Sequence, residues 1–194
     1  METLNIKIIL ASIRDGRFGI HPAKWITDIA QKTEDISVEL LDLKDYPLPM
    51  FADVVSPKNV TGSYGNAAVD AWAVKIAEAD GFVIVTPEYN HGYPPSLKNN
   101  IDHLYNEWVH KPVCFVGYGT TGGARAIQQL RGVAIELQMS PIRNSVHIFN
   151  PWNLVDEKGD IKPGVLDDNV KSAEAMLGQL IWWGKTLKTA RKEV

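Results

Sequence analysis

The sequence predicts a doubly wound α/β domain, a parallel sheet with helices on both faces. Three observations predict it. Five β-rich runs alternate with five helical patterns, the turns between them are mostly short, and two of the runs are continuously apolar. Those two, Phe82–Val85 and Pro112–Val116, have the composition of strands buried on both faces. Right-handed crossovers then distribute the helices over both sides of the sheet. At 194 residues the chain has room for one ordinary domain, so residues 1–194 are read as a single unit.

Leu4 to Leu10 is the first strand run, and Gly16 to Thr33 follows with Ala23, Ile26 and Ala30 at helical spacing. Ser37 to Leu43 alternates through Val38 and Leu40 as a strand does. Val69, Trp72, Ile76 and Ala77 form one face of a second helix, closed by Asp80-Gly81 ahead of the Phe82–Val85 strand. Leu97, Ile101, Leu104, Tyr105 and Trp108 predict a third helix. Beyond the Pro112–Val116 strand, Ile127, Leu130, Ala134 and Leu137 mark a fourth helix, and Ile142 to Phe149 a fifth strand. Val170, Ala173, Leu177, Leu180 and Ile181 mark the last helix. Its Lys185, Lys188, Arg191 and Lys192 suit the helix dipole and are read as a solvated end. The proline-rich stretch from Tyr46 to Asn66 is long for a connection, and loops of that length tend to carry function.

Composition narrows the function. With 45% apolar and 22% charged residues the chain is globular, and a net charge of −3 gives no support for a nucleic-acid partner. The one cysteine, Cys114, excludes a disulfide framework and points to a reducing compartment; lying in a strand run, it reads as a small core residue. His21, His91, His103, His110 and His147 lack paired ligand spacing, so no metal is expected, and His103 and His147 are read as satisfied groups. Residues Met1 to Lys7 lack the basic start and apolar core of a secretory signal. No apolar run approaches the roughly 20 residues of a membrane span, so a cytoplasmic protein without a membrane partner is expected. No Gly-x-Ser-x-Gly elbow is present to support a serine hydrolase.

In open α/β sheets ligands sit beyond the carboxyl ends of the strands, where strand order reverses. The loops there are unusual. The first, Ala11 to Gly19, leads from a strand into a helix. Ser12 offers a hydroxyl, Gly16 and Gly19 permit close backbone approach, and Arg14 and Arg17 are able to grip an anion bidentately. It lacks the Gly-Lys-Ser/Thr ending of a nucleoside-triphosphate loop. After the third strand, Thr86 to Pro95 carries three prolines, Tyr89, Tyr93 and Asn90, a stiff aromatic wall with amide groups suited to a planar heterocycle. After the fourth, Gly117 to Gly123 matches Gly-x-Gly-x-x-Gly by position. It follows the wrong strand for a dinucleotide fingerprint, and Glu136, at the right distance for the ribose acid, lies in a helical run. The glycines are read as letting backbone approach a ring.

Together these loops resemble the NADPH-dependent FMN reductase family, a flavodoxin-like group that includes quinone, azo and chromate reductases. Three motifs carry the resemblance: Ser12-x-Arg14-x-x-Arg17, Pro87-Glu88-Tyr89-Asn90 with Leu97-Lys98-Asn99, and Gly119-x-x-Gly122-Gly123. Ala11 stands where the family often has glycine. The resemblance implies a flavodoxin-like five-stranded sheet in the order 2-1-3-4-5. It implies FMN phosphate held at Ser12, Arg14, Arg17 and the backbone of Phe18 and Gly19. The flavin ring would lie between Pro87, Glu88, Tyr89 and Asn90 on one side and Tyr118, Gly119, Thr121, Gly122 and Gly123 on the other. Hydride would pass from NADPH or NADH through FMN to a small acceptor: a quinone, an azo compound, a flavin, chromate or a ferric species. No side chain is assigned as an obligatory proton donor.

An electron carrier of the flavodoxin type is the alternative, disfavoured by the two arginines of the first loop and the modest net charge. The resemblance also implies a homodimer or homotetramer. In that picture Met50, Phe51, Tyr93 or Trp152 would cover the ring from a neighbouring chain, and one of the adjacent Trp182 and Trp183 would lie under another subunit. His91, inside the third-strand loop, is a further substrate-site candidate.

Overall fold

The computed structural model describes residues 3–193, so Met1 and Glu2 of the stretch read for a signal lie outside the described residues. Five strands, β1 (Leu4–Leu10), β2 (Ile36–Asp42), β3 (Gly81–Pro87), β4 (Pro112–Gly119) and β5 (Ser140–Phe149), form one sheet. Every pairing is parallel and the order is β2-β1-β3-β4-β5, as the resemblance implied. The helices are α1 (Ile20–Gln31), α2 (Ala67–Ala77), α3 (Pro95–Asp102), α4 (Ala124–Glu136) and α5 (Val170–Arg191).

Alternation along the strands sorts two cores. Ile6, Ile8, Leu10, Val83, Val85, Cys114 and Val116 pack on one face with Ala23 and Ile26 of α1 and Met176, Leu177 and Leu180 of α5. Ile9, Phe82, Ile84, Val113 and Phe115 pack on the other with Trp72 and Ile76 of α2, Leu97 and Ile101 of α3 and Leu130 of α4. Residues alternate faces because strand side chains do. The continuous apolar runs of β3 and β4 therefore feed both cores, and Cys114 is a fully buried core residue as expected.

Three sequence expectations are corrected. The first helix begins at Ile20, not Gly16, which leaves the whole of 11–19 as loop at the sheet's carboxyl edge. The third helix ends at Asp102, and Leu104 and Trp108 reach the core from turns. Apolar spacing reports which residues are buried, and here Trp108 packs on Phe82 with ring centroids 4.9 Å apart without helical backbone. The basic end of α5 is an anchor: Lys185 bonds Asp35 at 2.7 Å, and Lys188 and Arg191 share Asp80 at 2.7 and 2.9 Å.

Lys111, before β4, is buried, and its Nζ donates to the carbonyls of Ile76 and Ala77 at 2.8 and 2.9 Å, closing the C-terminus of α2. Burial pushes its pKa down to about 8. An unfolded lysine titrates near 10.4. As pH rises through about 8, the folded chain releases this proton while the unfolded chain keeps it, so Lys111 contributes more stability at pH 10 than at pH 7. The buried Cys114 thiol, pushed up by desolvation, has the opposite sign. The measurement is therefore a difference: the stability of the wild type minus that of Lys111→Met, by urea unfolding, is expected to grow by roughly 2 kcal/mol from pH 7 to pH 10. A flat difference contradicts the burial argument.

Candidate active site

The chain passes from β1 to β2 on one side and to β3 on the other, so strand order reverses between β1 and β3. The loops beyond that point frame a cleft of about 560 Å3. Its first wall is loop 11–19. Ser12 is buried, and its hydroxyl lies 2.7 Å from the Tyr89 hydroxyl. The Arg14 guanidinium lies over the Tyr89 ring, 5.6 Å from its centroid. Arg17 is ion-paired to Asp42 at the end of β2, with a side chain only 11% exposed. One nitrogen faces Asp42, while Nε and Nη1 are buried with no hydrogen-bond partner. Buried guanidinium donors without acceptors are costly. The Tyr118 hydroxyl beside this loop is also buried and unpartnered, and burial raises its pKa. It packs so close to Gly19 that a Cβ there would lie 2.5 Å from the phenol oxygen. Phe18 packs on the Tyr118 ring at 5.3 Å.

The loop after β3 forms the second wall. The Glu88 N–H donates to the Tyr118 carbonyl at 3.0 Å, tying this loop to β4. The Glu88 carboxylate accepts from Thr121 Oγ1 (2.9 Å), the Arg125 N–H (3.0 Å) and Arg125 Nε (2.6 Å). Burial would raise this carboxyl, but the bonds from Arg125 and Thr121 together outweigh it and hold the pKa below the usual carboxylate range. The side chains of Glu88 and Thr121 are thus spent on each other and on the start of α4.

Tyr89 and Gly92 exchange backbone bonds of 2.8 and 3.0 Å around Asn90 and His91, whose φ angles are +48° and +75°. This is a type I′ turn, which asks for glycine or asparagine at such angles. His91→Gly is accordingly expected to raise stability by about 0.5 kcal/mol in chemical denaturation, the relieved strain exceeding the added unfolded-state freedom.

The glycine loop after β4 was read as open to a ring, and the structure gives three of its glycines a packing reason. A Cβ on Gly117 would lie 2.7 Å from the Gly122 carbonyl oxygen, and one on Gly123 would lie 2.7 Å from the Gly117 Cα. One on Gly122 would lie 2.8 Å from His147 Cβ. The loop folds back on itself and on β5, where His147 bonds the Gly122 carbonyl and Ser145, both at 2.9 Å. His147 is satisfied as expected. His103 is only half so: Nε2 bonds the Pro49 carbonyl at 2.9 Å, while Nδ1 is without a hydrogen-bond partner.

Of the candidate residues, Arg14, Arg17, Phe18, Pro87, Glu88, Tyr89, Tyr118, Gly119 and Trp152 line the cleft. Ser12 touches its wall through Tyr89, and Gly19 through Tyr118. Asn90, Thr121, Gly122 and Gly123 brace the loops without lining it, and Met50, Phe51, His91 and Tyr93 do not line it either. Met50 is 80% exposed, the Phe51 N–H is held by Asn99 Oδ1 at 2.9 Å, and Tyr93 packs on the core beneath α2–α4. Trp152, suggested as a neighbour's contribution, lines its own chain's cleft. The third wall was missed: Pro151, Val155, Lys158 and Gly159 arrive on an irregular segment, with His21 of α1 bonded to the Gly159 carbonyl at 3.0 Å. Asp42, the partner of Arg17, was missed too; its signal was a carboxylate at the end of a strand flanking the phosphate-type loop.

Residues 4–153 match the family model for NADPH-dependent FMN reductase. The chain belongs to that family. It is an oxidoreductase of the FMN type, dependent on NAD(P)H. It is 42% identical to an NAD(P)H-dependent FMN reductase of Schizosaccharomyces pombe over 71% of this chain and 68% of that one. It is 31% identical to a quinone reductase of Escherichia coli K12 over 98% of both chains. Among solved structures, a flavoenzyme NAD(P)H:(acceptor) oxidoreductase of Paracoccus denitrificans shares the fold, with a TM-score of 0.71 at 20% identity over 95% of this chain and 98% of that one.

Proposed function

We propose that this family member holds FMN in the 560 Å3 cleft and uses it to pass electrons from a reduced nicotinamide to a small acceptor, a quinone first among them. The observation that carries the reading is the pair of buried Arg17 nitrogens and the buried Tyr118 hydroxyl, all without hydrogen-bond partners, on residues of a cleft also lined by Phe18, Tyr89, Trp152, Pro87 and Pro151. That donor set fits a phosphate, and the flat walls fit a ring system. When bound, FMN supplies the hydride and single-electron chemistry that the side chains lack.

The chain's own residues place and tune. Asp42 fixes the Arg17 guanidinium in one rotamer and leaves its buried Nε and Nη1 as the donors a phosphate would satisfy. Ser12 and the Arg14 guanidinium complete the phosphate corner. Within Glu88 to Asn90 and Gly119 to Gly122, the N–H groups of Glu88, Tyr89 and Gly122 are spent inside the loops, so those of Asn90, Thr120 and Thr121 are the ones offered along the ring edge, on loops held rigid by the Glu88–Arg125 pair and the I′ turn. Pro151 and Trp152 form the far wall. Relatives named quinone reductase support a quinone acceptor; azo compounds, free flavins, chromate and ferric species are the other acceptors the reading allows. The exposed Met50, and the Trp182 that stands 61% exposed against Trp183, support a homodimer or homotetramer in which Met50, Phe51 and Tyr93 face a neighbour's cleft.

The test is steady-state oxidation of NADPH and NADH with a benzoquinone, an azo dye and a ferric chelate, beside sedimentation velocity. Turnover with the quinone and a species of two or four chains are expected. Absence of turnover with every acceptor sinks the activity, and a clean monomer sinks the assembly.

A further inference from the structure

A second hollow of about 300 Å3 lies beside the 560 Å3 cleft, and His21 lines both. The second hollow is a trough between α1, which contributes Lys24, Trp25 and Asp28, and the strap of residues 161–167. Its charges balance, with Lys24 and Lys162 against Asp28 and Asp167, and Trp25 gives it an aromatic surface. At the junction His21 bonds the Gly159 carbonyl, and the residue before it, Lys158, lines the cleft.

The cations in and beside the cleft differ in how they are committed. Arg17 is ion-paired with Asp42, Glu88 takes up Arg125, and Arg14 lies on Tyr89 at the first loop. Lys158 is paired with no carboxylate among the described residues, although Glu157 and Asp160 are close in sequence. Asp156 turns its carboxylate to the N–H groups of Lys158 and Asp160 (2.9 and 3.0 Å), and none of Asp156, Glu157 and Asp160 lines either hollow. Lys158, next to the Gly159 whose carbonyl holds His21, thus lines the cleft without a carboxylate partner among the described residues.

We propose that the trough receives the adenosine half of the reduced nicotinamide donor, and that Lys158 grips the ribose 2′-phosphate that distinguishes NADPH from NADH. The proposal rests on the reading of the cleft as the flavin site. A donor whose nicotinamide reaches into that cleft must carry its other half out over the neighbouring surface, and the trough is the hollow that adjoins the cleft at His21. An aromatic side chain suits a purine, and a lysine without a carboxylate suits a phosphate.

The experiment is calorimetric titration of adenosine 2′,5′-bisphosphate and of adenosine 5′-monophosphate into the flavin-loaded protein, its Lys158→Ala and its Lys158→Arg forms. The bisphosphate is expected to bind about tenfold more weakly to Lys158→Ala, with most of the affinity restored in Lys158→Arg. The monophosphate is expected to bind the three alike. In parallel, the ratio of kcat/KM for NADPH to that for NADH is expected to fall about tenfold in Lys158→Ala. Failure of the bisphosphate to bind the wild type, or equal binding to Lys158→Ala, overturns the proposal. Loss of flavin binding in the wild type is a different outcome and strikes the cleft reading instead, since neither adenosine probe needs the flavin for its contacts.

Discussion

Replacing Arg17 with alanine is expected to weaken FMN binding by roughly 10- to 100-fold, measured by fluorescence quenching of free FMN on titration with apoprotein. The size follows from the loss of charge-assisted hydrogen bonds in a nearly dry corner, each worth about 1.5–3 kcal/mol. The variant also leaves Asp42 without its guanidinium partner, so the loss is not offset by a relaxed wall. Arg17→Lys is expected to recover only part of the affinity, because an ammonium cannot face Asp42 and a phosphate with separate edges as the planar fork does. Unchanged affinity in Arg17→Ala would mean that the buried Nε and Nη1 serve no ligand.

The second large effect lies in the glycine loop. Gly123→Ala is expected to cost about 3 kcal/mol of folding stability. The new Cβ would sit 2.7 Å from the Gly117 Cα and 2.8 Å from the Tyr118 nitrogen, and φ is +72°. Backbone atoms cannot step aside as a side-chain tip does, so left-handed strain and overpacking add. Gly16→Ala is the control. Its φ is +62° but nothing lies within 4 Å of the added carbon, so only the conformational penalty of about 1 kcal/mol is expected. Thermal or urea unfolding of the two variants separates clash from strain, and equal losses would contradict the packing account.

The sequence showed the fold well because the fold is written in burial. Val83 and Val85 face one core and Phe82 and Ile84 the other, so the run Phe82–Val85 carries the signature of a doubly covered strand. Burial is also where the reading overreached: Trp108 is as buried as a helix residue would be, yet it sits on turns. Within the site, the first loop was legible through residue types that have few other uses at a strand end, namely a serine and two arginines. What escaped were pairings across distant segments. Asp42 lies 25 residues from Arg17, and Arg125 lies 37 from Glu88, with no local pattern to couple them. The 151–159 wall escaped for a different reason. It has neither helical nor strand periodicity, and its place is set by contacts such as His21 with Gly159 and the bridge between Val155 and Ile161. The charges at the end of α5 illustrate the same limit: their order suggests a solvated terminus, but Asp35 and Asp80 come from elsewhere in the chain.

The central claim is that the cleft beyond β1, β3 and β4 binds FMN and lets a reduced nicotinamide reach it. The most direct test is the visible absorbance of the purified protein, supplemented with FMN and freed of excess, before and after anaerobic addition of NADPH. The account predicts flavin bands in one-to-one proportion to the chain that bleach on addition and return when a quinone is admitted. Protein that stays colourless after supplementation, or bound flavin that NADPH leaves oxidised, would contradict it.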